Sequence, residues 1–192
     1  MIPVVVEGDT DVPIARNLLG LVGLDVGTVY GLRGKHWLDQ RLRAYNHAAR
    51  FDRWFVLRDL NGDAPCAPQL LQNLLPAPTV GMCFRIAIRA SEAWLLADRE
   101  RISEFLSVPA GRIPGNPDNL QDPKREVVDL SRRSRRRAIR EDMVPAPGTS
   151  SRVGPAYTAR IIEFATTLWR PRVAAANSTS LSRCIAALER WA

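Results

Sequence analysis

The sequence predicts an α/β protein: a mostly parallel sheet flanked by helices, with a helical C-terminal extension. Three observations predict it. Through residues 2–106 short apolar runs alternate with amphipathic segments of helical period, the order expected of parallel strands joined by right-handed crossovers. Several of the strand-like runs end in turns that carry acids, at the edge where open α/β sheets bind ligands. A chain of 192 residues that is 46% hydrophobic is also long enough to bury a substantial core.

Residues 2–6 (IPVVV) read as the first strand. Residues 11–24 have helical periodicity; Pro13 suits a first turn, Asp9 or Thr10 suits a cap, and Asp9 and Asp11 complement the positive helix end. A second strand at 25–30 leads to a helix at 35–50 with Leu38, Leu42 and Tyr45 along one face. A third strand (53–60), a short helix (68–75), a fourth strand (81–90) and a helix over 91–106 complete the alternation. After Val108 the composition shifts to Pro, Gly, Asn and Asp over 109–124, the mark of an extended loop. One very basic helix is expected over 124–142, then a second long loop over 143–155. Two amphipathic helices, 156–169 and 180–191, close the chain, the last capped by Ser178 or Ser180. The expected organisation is an α/β domain over 1–108 and a loop-rich, helical layer over 109–192 packed on it.

Composition narrows the chemistry. A net charge of +7 and a pI near 10.1 favour polyanionic partners, nucleic acid first among them. Cys66, Cys83 and Cys184 are widely spaced and odd in number, and His36 and His47 are the only histidines, which disfavours a disulfide framework or a His/Cys zinc site. A metal here is therefore a hard cation held by carboxylates, Mg²⁺ or Mn²⁺. The absence of a long apolar run and of a leader pattern predicts a soluble, cytoplasmic protein without membrane contact.

The acids are the strongest signal. The first strand delivers Glu7, with Asp11 one helical turn later; the third delivers Asp59, followed by Asn61 and Asp63; the fourth is followed by Glu92. Singly, each has an ordinary explanation in turn chemistry or helix-start electrostatics. Glu7 fits that explanation poorly, because it precedes the turn at Gly8, where no cap is needed. In a parallel sheet all these strand ends share one edge, and carboxylates crowded there repel unless a divalent cation compensates them.

The stretches VVVEGDTD and FVLRDLNGD resemble the toprim domain, the metal-binding module of type IA and type II topoisomerases, primases and the nucleases of the overcoming-lysogenization-defect group. RIAIRASEAWLLADRERISEFL, NPDNLQDPK and VGPAYTARIIEF are similar to an uncharacterised bacterial toprim-like family associated with defence or mobile-element loci, a likeness that covers most of the chain. The resemblance implies that Glu7 is the general acid/base or metal-binding glutamate, Asp11 an additional acid of the nuclease type, Asp59 the first metal-binding aspartate and Glu92 a supplementary acid. Asn61 stands where the family's second aspartate belongs, with Asp63 displaced by two, so one negative charge is lost at that position.

Among basic residues, Lys35 follows Gly31 and Gly34 at the end of the second strand and is positioned to reach a phosphate. GLRGKHW is not a P-loop, since its glycine spacing is wrong and His36 replaces the Mg²⁺-binding Ser or Thr. Arg132, Arg133, Arg136, Arg137 and Arg140, with Lys124 and Arg152, suit phosphate contact rather than base reading. The five tryptophans fall on apolar faces and are expected in the core. The reading is a Mg²⁺- or Mn²⁺-dependent nuclease acting on DNA or RNA, with Glu7 and Lys35 as catalytic residues and Glu7, Asp11, Asp59, Asn61, Asp63 and Glu92 as metal ligands. A separately encoded ATPase is a conceivable partner. Two alternatives are a non-catalytic toprim-like interaction module and a phosphoacceptor domain that uses Asp59; Tyr157 as a covalent nucleophile is disfavoured because so short a chain lacks strand-passage domains.

Overall fold

The computed structural model describes residues 1–191. Strands β1 (Ile2–Val6), β2 (Val26–Gly31), β3 (Trp54–Asp59) and β4 (Met82–Ala87) form one all-parallel sheet in the order β2-β1-β3-β4. They are joined by α1 (Asp11–Leu21), α2 (Lys35–Ala48) and α3 (Ala67–Leu74). This is the α/β architecture expected, a parallel sheet flanked by helices. Val6 pairs with Gly31 and Asp59 with Ala87, so the carboxyl ends of the strands lie along one edge.

The period of two along each strand separates two cores. Val4, Val6, Phe55 and Leu57 belong to one; Val5, Val56, Phe84 and Ile86 belong to the other, which Leu38 and Leu42 of α2 and Leu70 of α3 cover. The first face is covered by α1 and by everything that follows β4: α4 (Glu92–Leu96), α5 (Arg99–Leu106), α6 (Pro123–Arg132), α7 (Arg137–Met143), α8 (Tyr157–Thr167), α9 (Pro171–Ala175) and α10 (Thr179–Glu189). Ile2 and Leu188 are members of that same buried cluster, so the C-terminal layer shares its core with the sheet.

Two expected helices are interrupted. The segment 91–106 divides at Asp98, which is 0% exposed; its carboxylate accepts from Arg101 N at the start of α5 and from Arg170 N, Nε and Nη2. A capping aspartate that is also buried against an arginine fixes a new helix start. The basic segment 124–142 divides between Arg132 and Arg137. There Ser134 Oγ accepts from Arg136 N, the Ser134 carbonyl accepts from Arg140 Nη1, and Arg135 N donates to the Ser107 carbonyl. These bonds compete with the helical ladder. Helix α9, which the sequence pattern did not announce, starts on Pro171. Ser178 caps α10 by accepting from Leu181 N, as expected, whereas Thr10 makes no side-chain cap on α1.

One glycine bears on the site. Gly31 has φ +97°, and a Cβ there would lie 2.0 Å from the Val6 carbonyl oxygen, so only glycine lets β2 end this close to the residue before Glu7. Trp94 and Trp169 are buried in the core. Trp54 stacks on Tyr30 and Tyr45 at the sheet's rim, and Trp37 lies under the guanidinium of Arg41, 4.0 Å from its centre. Among the described residues no helix is long and apolar enough to cross a membrane.

Candidate functional site

Four of the expected acids converge on the strand-end edge. Glu7, leaving β1, accepts the Asp59 amide through Oε1 at 2.8 Å and so ties β1 to β3. Asp11, only 5% exposed, folds back on the turn, where Oδ2 accepts Gly8 N at 3.1 Å and Oδ1 accepts Ser91 Oγ at 2.7 Å. The Ser91 amide in turn donates to Asp59 Oδ1 at 2.9 Å. A single serine, between β4 and α4, thus holds the aspartate that opens α1 and the one that ends β3. Glu92 is 2% exposed; its Oε1 accepts Tyr157 Oη at 3.2 Å and lies 3.4 Å from Lys124 Nζ.

The electrostatics follow from that crowding. Burial pushes Asp11 up to about 7, and the charges of Glu92 and Glu7 push the same way against its bonds to Ser91 and Gly8. Asp59 is raised well above the usual carboxylate range, by burial first and then by Asp11, Glu92 and Glu7. Glu7 is raised by burial against the opposing pull of the Asp59 amide and Arg58. Burial alone would lower Lys124, but Glu92, with Asp59 and Asp11, holds its ammonium above the ordinary value. The Tyr157 phenol is driven up by burial and by Glu92, so it is a hydrogen-bond donor rather than a phenolate.

The other two expected ligands, Asp63 and Asn61, take other hydrogen-bond partners. Asp63 is bonded to Lys35 Nζ at 2.7 and 2.9 Å and to Arg58 Nη1 at 2.6 Å; these cations outweigh the slight burial and lower its pKa. Lys35, expected as a catalytic residue, is accordingly an ion-pair partner. Arg58 is itself 2% exposed and also holds Asp39 at 2.9 Å. Asn61 is exposed on the turn after β3, in the left-handed region at φ +51°, with its amide donating to the Arg89 carbonyl at 2.8 Å.

Beside Asp59 opens a cleft of about 240 Å³ lined by Asn61, Arg89, Lys124 and Arg152 among others. A second, of about 270 Å³, shares Lys124 and Arg152 and continues past Arg125 and Arg132. Arg152 also pairs with Asp122 and Arg132 with Asp129. Arg133, Arg136, Arg137 and Arg140 are exposed around the break between α6 and α7, Arg137 paired with Glu141. The chain's composition announced the acids and the basic run. It did not announce Ser91 as their common donor, nor Arg58 as the residue that claims Asp63; a buried-arginine role for the Arg preceding Asp59 has no spacing signature.

No protein-family model, curated protein or solved structure matches this chain. The chemistry of the site must be read from its own residues. Glu7, Asp11, Asp59 and Glu92 offer the all-oxygen donor set of a hard divalent cation, and each raises the proton affinity of a neighbour, the condition a cation relieves. Among the described residues no group of three or more His, Cys, Asp or Glu is arranged to hold a metal ion. The four carboxylates supply the oxygen donors that a hard cation takes, without the close grouping that would hold one in this arrangement.

Proposed function

We propose that the strand-end acids form the centre of a divalent-cation-dependent phosphodiesterase acting on nucleic acid, a toprim-like nuclease. One observation carries this reading: four carboxylates that follow three strand ends converge, Asp11 and Asp59 held by Ser91, Glu7 by the Asp59 amide and Glu92 by Tyr157, and Lys124 faces three of them. Such an excess of buried negative charge costs stability, and it is retained where a site needs it. Bound Mg²⁺ or Mn²⁺ would supply Lewis-acid polarisation of a phosphate and a water of lowered pKa. Asp59, Glu92 and Asp11 would hold it. Glu7, whose raised pKa brings proton exchange nearer neutrality, is the group suited to take a proton from the attacking water. Lys124 and Arg152 line the adjoining cleft, where they bind the phosphates of the strand.

A second reading has its own support. Asp63 is committed to Arg58 and Lys35, and Asn61 carries no charge, which leaves fewer acids than the toprim pattern supplies. On that reading the domain docks on a separately encoded ATPase without cleaving anything. Calorimetry with Mn²⁺ on the wild type and on Asp59→Ala separates the two. Binding that the substitution abolishes supports the metal site, and cleavage assays on DNA and RNA follow. No heat at millimolar Mn²⁺ in either protein overturns the phosphodiesterase and leaves the docking module.

A further inference from the structure

We infer that Arg89 is the residue that grips the phosphate beside Asp59. The inference rests on the reading of the acid edge as a phosphodiester site, and it names a residue and a ligand chemistry within it. Arg89 stands just after β4, between the strand and Ser91, at φ +62°, a left-handed conformation uncommon for a residue with a side chain. Its carbonyl accepts the amide of Asn61, itself at φ +51°, so two left-handed turns from neighbouring strands are locked together. Strain of this kind persists where the surroundings over-determine it, and it clusters at binding sites.

The locked turns aim the guanidinium across the mouth of the site. Its Nη1 lies 3.8 Å from the point where a Cβ on Gly62 would sit, and the side chain lines the same cleft as Asp59, Lys124 and Arg152. Unlike Arg58, Arg152 and Arg170, Arg89 forms no ion pair among the described residues. An unpaired guanidinium beside a carboxylate cluster is suited to an anion that approaches the acids together with a cation. The planar fork matches two non-bridging oxygens of one phosphate, a geometry that lysine does not reproduce. The second cleft, reached through Lys124 and Arg152, then takes the next phosphates of the same strand along Arg125 and Arg132.

The test uses the intact chain and Arg89→Gly. Glycine adopts φ +62° without strain, so the variant keeps the backbone and has an unchanged or higher Tm. Affinity for a short fluorescein-labelled single strand, DNA and RNA in turn, is measured by anisotropy in Ca²⁺, and Mn²⁺ binding by calorimetry on the same preparations. The expected result is a loss of strand affinity of about tenfold or more in Arg89→Gly, with Mn²⁺ binding unchanged and Arg89→Lys intermediate. Arg172→Ala, which removes a charge on α9 already paired with Glu189 of α10, changes affinity less than about twofold. Wild-type affinity in Arg89→Gly, no strand binding by the wild type, or joint loss of Mn²⁺ binding each overturns the assignment. Failure of the acid-edge reading shows separately, as absence of Mn²⁺ binding in the wild type.

Discussion

Two charged clusters sit side by side on the strand-end edge, and they are built on opposite principles. On the α2 side, Arg58 and Lys35 meet Asp39 and Asp63: two cations, two acids, each pair within 2.9 Å. On the α4 side, Asp11, Asp59 and Glu92 share Lys124, whose ammonium lies 3.4 Å from Glu92, and Glu7 lies 3.7 Å from Arg58. The first cluster satisfies itself and asks nothing of a ligand. The second is tied by neutral donors, Ser91, Tyr157 and backbone amides, which order the carboxylates without cancelling their charge. Acids of the same type, a few residues apart in sequence, are paired with cations in one place and held by neutral donors in the other.

The sharpest separation of the two is pH. The folded Asp11 holds its proton up to about 7, whereas the unfolded chain releases it near 3.8. Between these values the native state binds more protons than the unfolded state, so the free energy of unfolding falls as pH rises and the loss is complete above about 7. The effect is on the order of 4 kcal/mol from Asp11 alone. Asp63 acts with the opposite sign: its lowered pKa contributes stability above the unfolded value, lost as pH falls through the folded one. Urea unfolding from pH 4.5 to 8 should therefore show declining stability in the wild type and a flatter profile in Asp11→Asn. A wild-type profile that rises across that range would contradict the crowding of the acid edge.

Arg58→Ala breaks the balanced cluster. Removing a buried cation leaves Asp39 and Asp63 facing each other and Glu7 without its nearest guanidinium, a loss of about 3 kcal/mol by urea unfolding. Next in size is the cation itself. Mn²⁺ at about one hundred times its Kd should stabilise the wild type by about 2.7 kcal/mol at pH 7.5, and Asp59→Asn by far less, read as a Tm shift. The smallest effect is expected of Asp63→Asn, where the side chain is itself partly solvated and keeps an oxygen for Arg58 and Lys35: below about 1 kcal/mol, with Mn²⁺ affinity unchanged. A large fall in Mn²⁺ affinity in that variant would return Asp63 to the metal site and erase the distinction between the clusters.

Much of the fold was legible because strand periodicity and glycine-acid turns are local. IPVVV, the run ending in Asp59 and the segment before Ser91 all form strands of the sheet, and Glu7, Asp11, Asp59 and Glu92 arrive together because parallel connection puts strand ends on one edge. What stayed hidden depends on distant partners. Asp98 reads as one more helical residue until Arg170, far along the chain, binds it. Asp63 reads as a ligand until Arg58 and Lys35 claim it. Arg89 looks like any arginine after a strand until its backbone angle and the bond to Asn61 are known.

The shared core has a consequence for synthesis. Trp94, two residues after Glu92, donates its indole N–H to Ser180 Oγ at 2.6 Å, and its carbonyl accepts the indole of Trp169 at 3.1 Å. Ile2, Val4 and Val6 lie in the same buried cluster as Leu181, Cys184 and Leu188. On a ribosome, where domains generally fold as units, the sheet that carries the acids shares a core that stays incomplete until α10 has emerged. A nascent chain halted before α10 carries every acid of the edge and lacks the helix that packs on Trp94 beside Glu92.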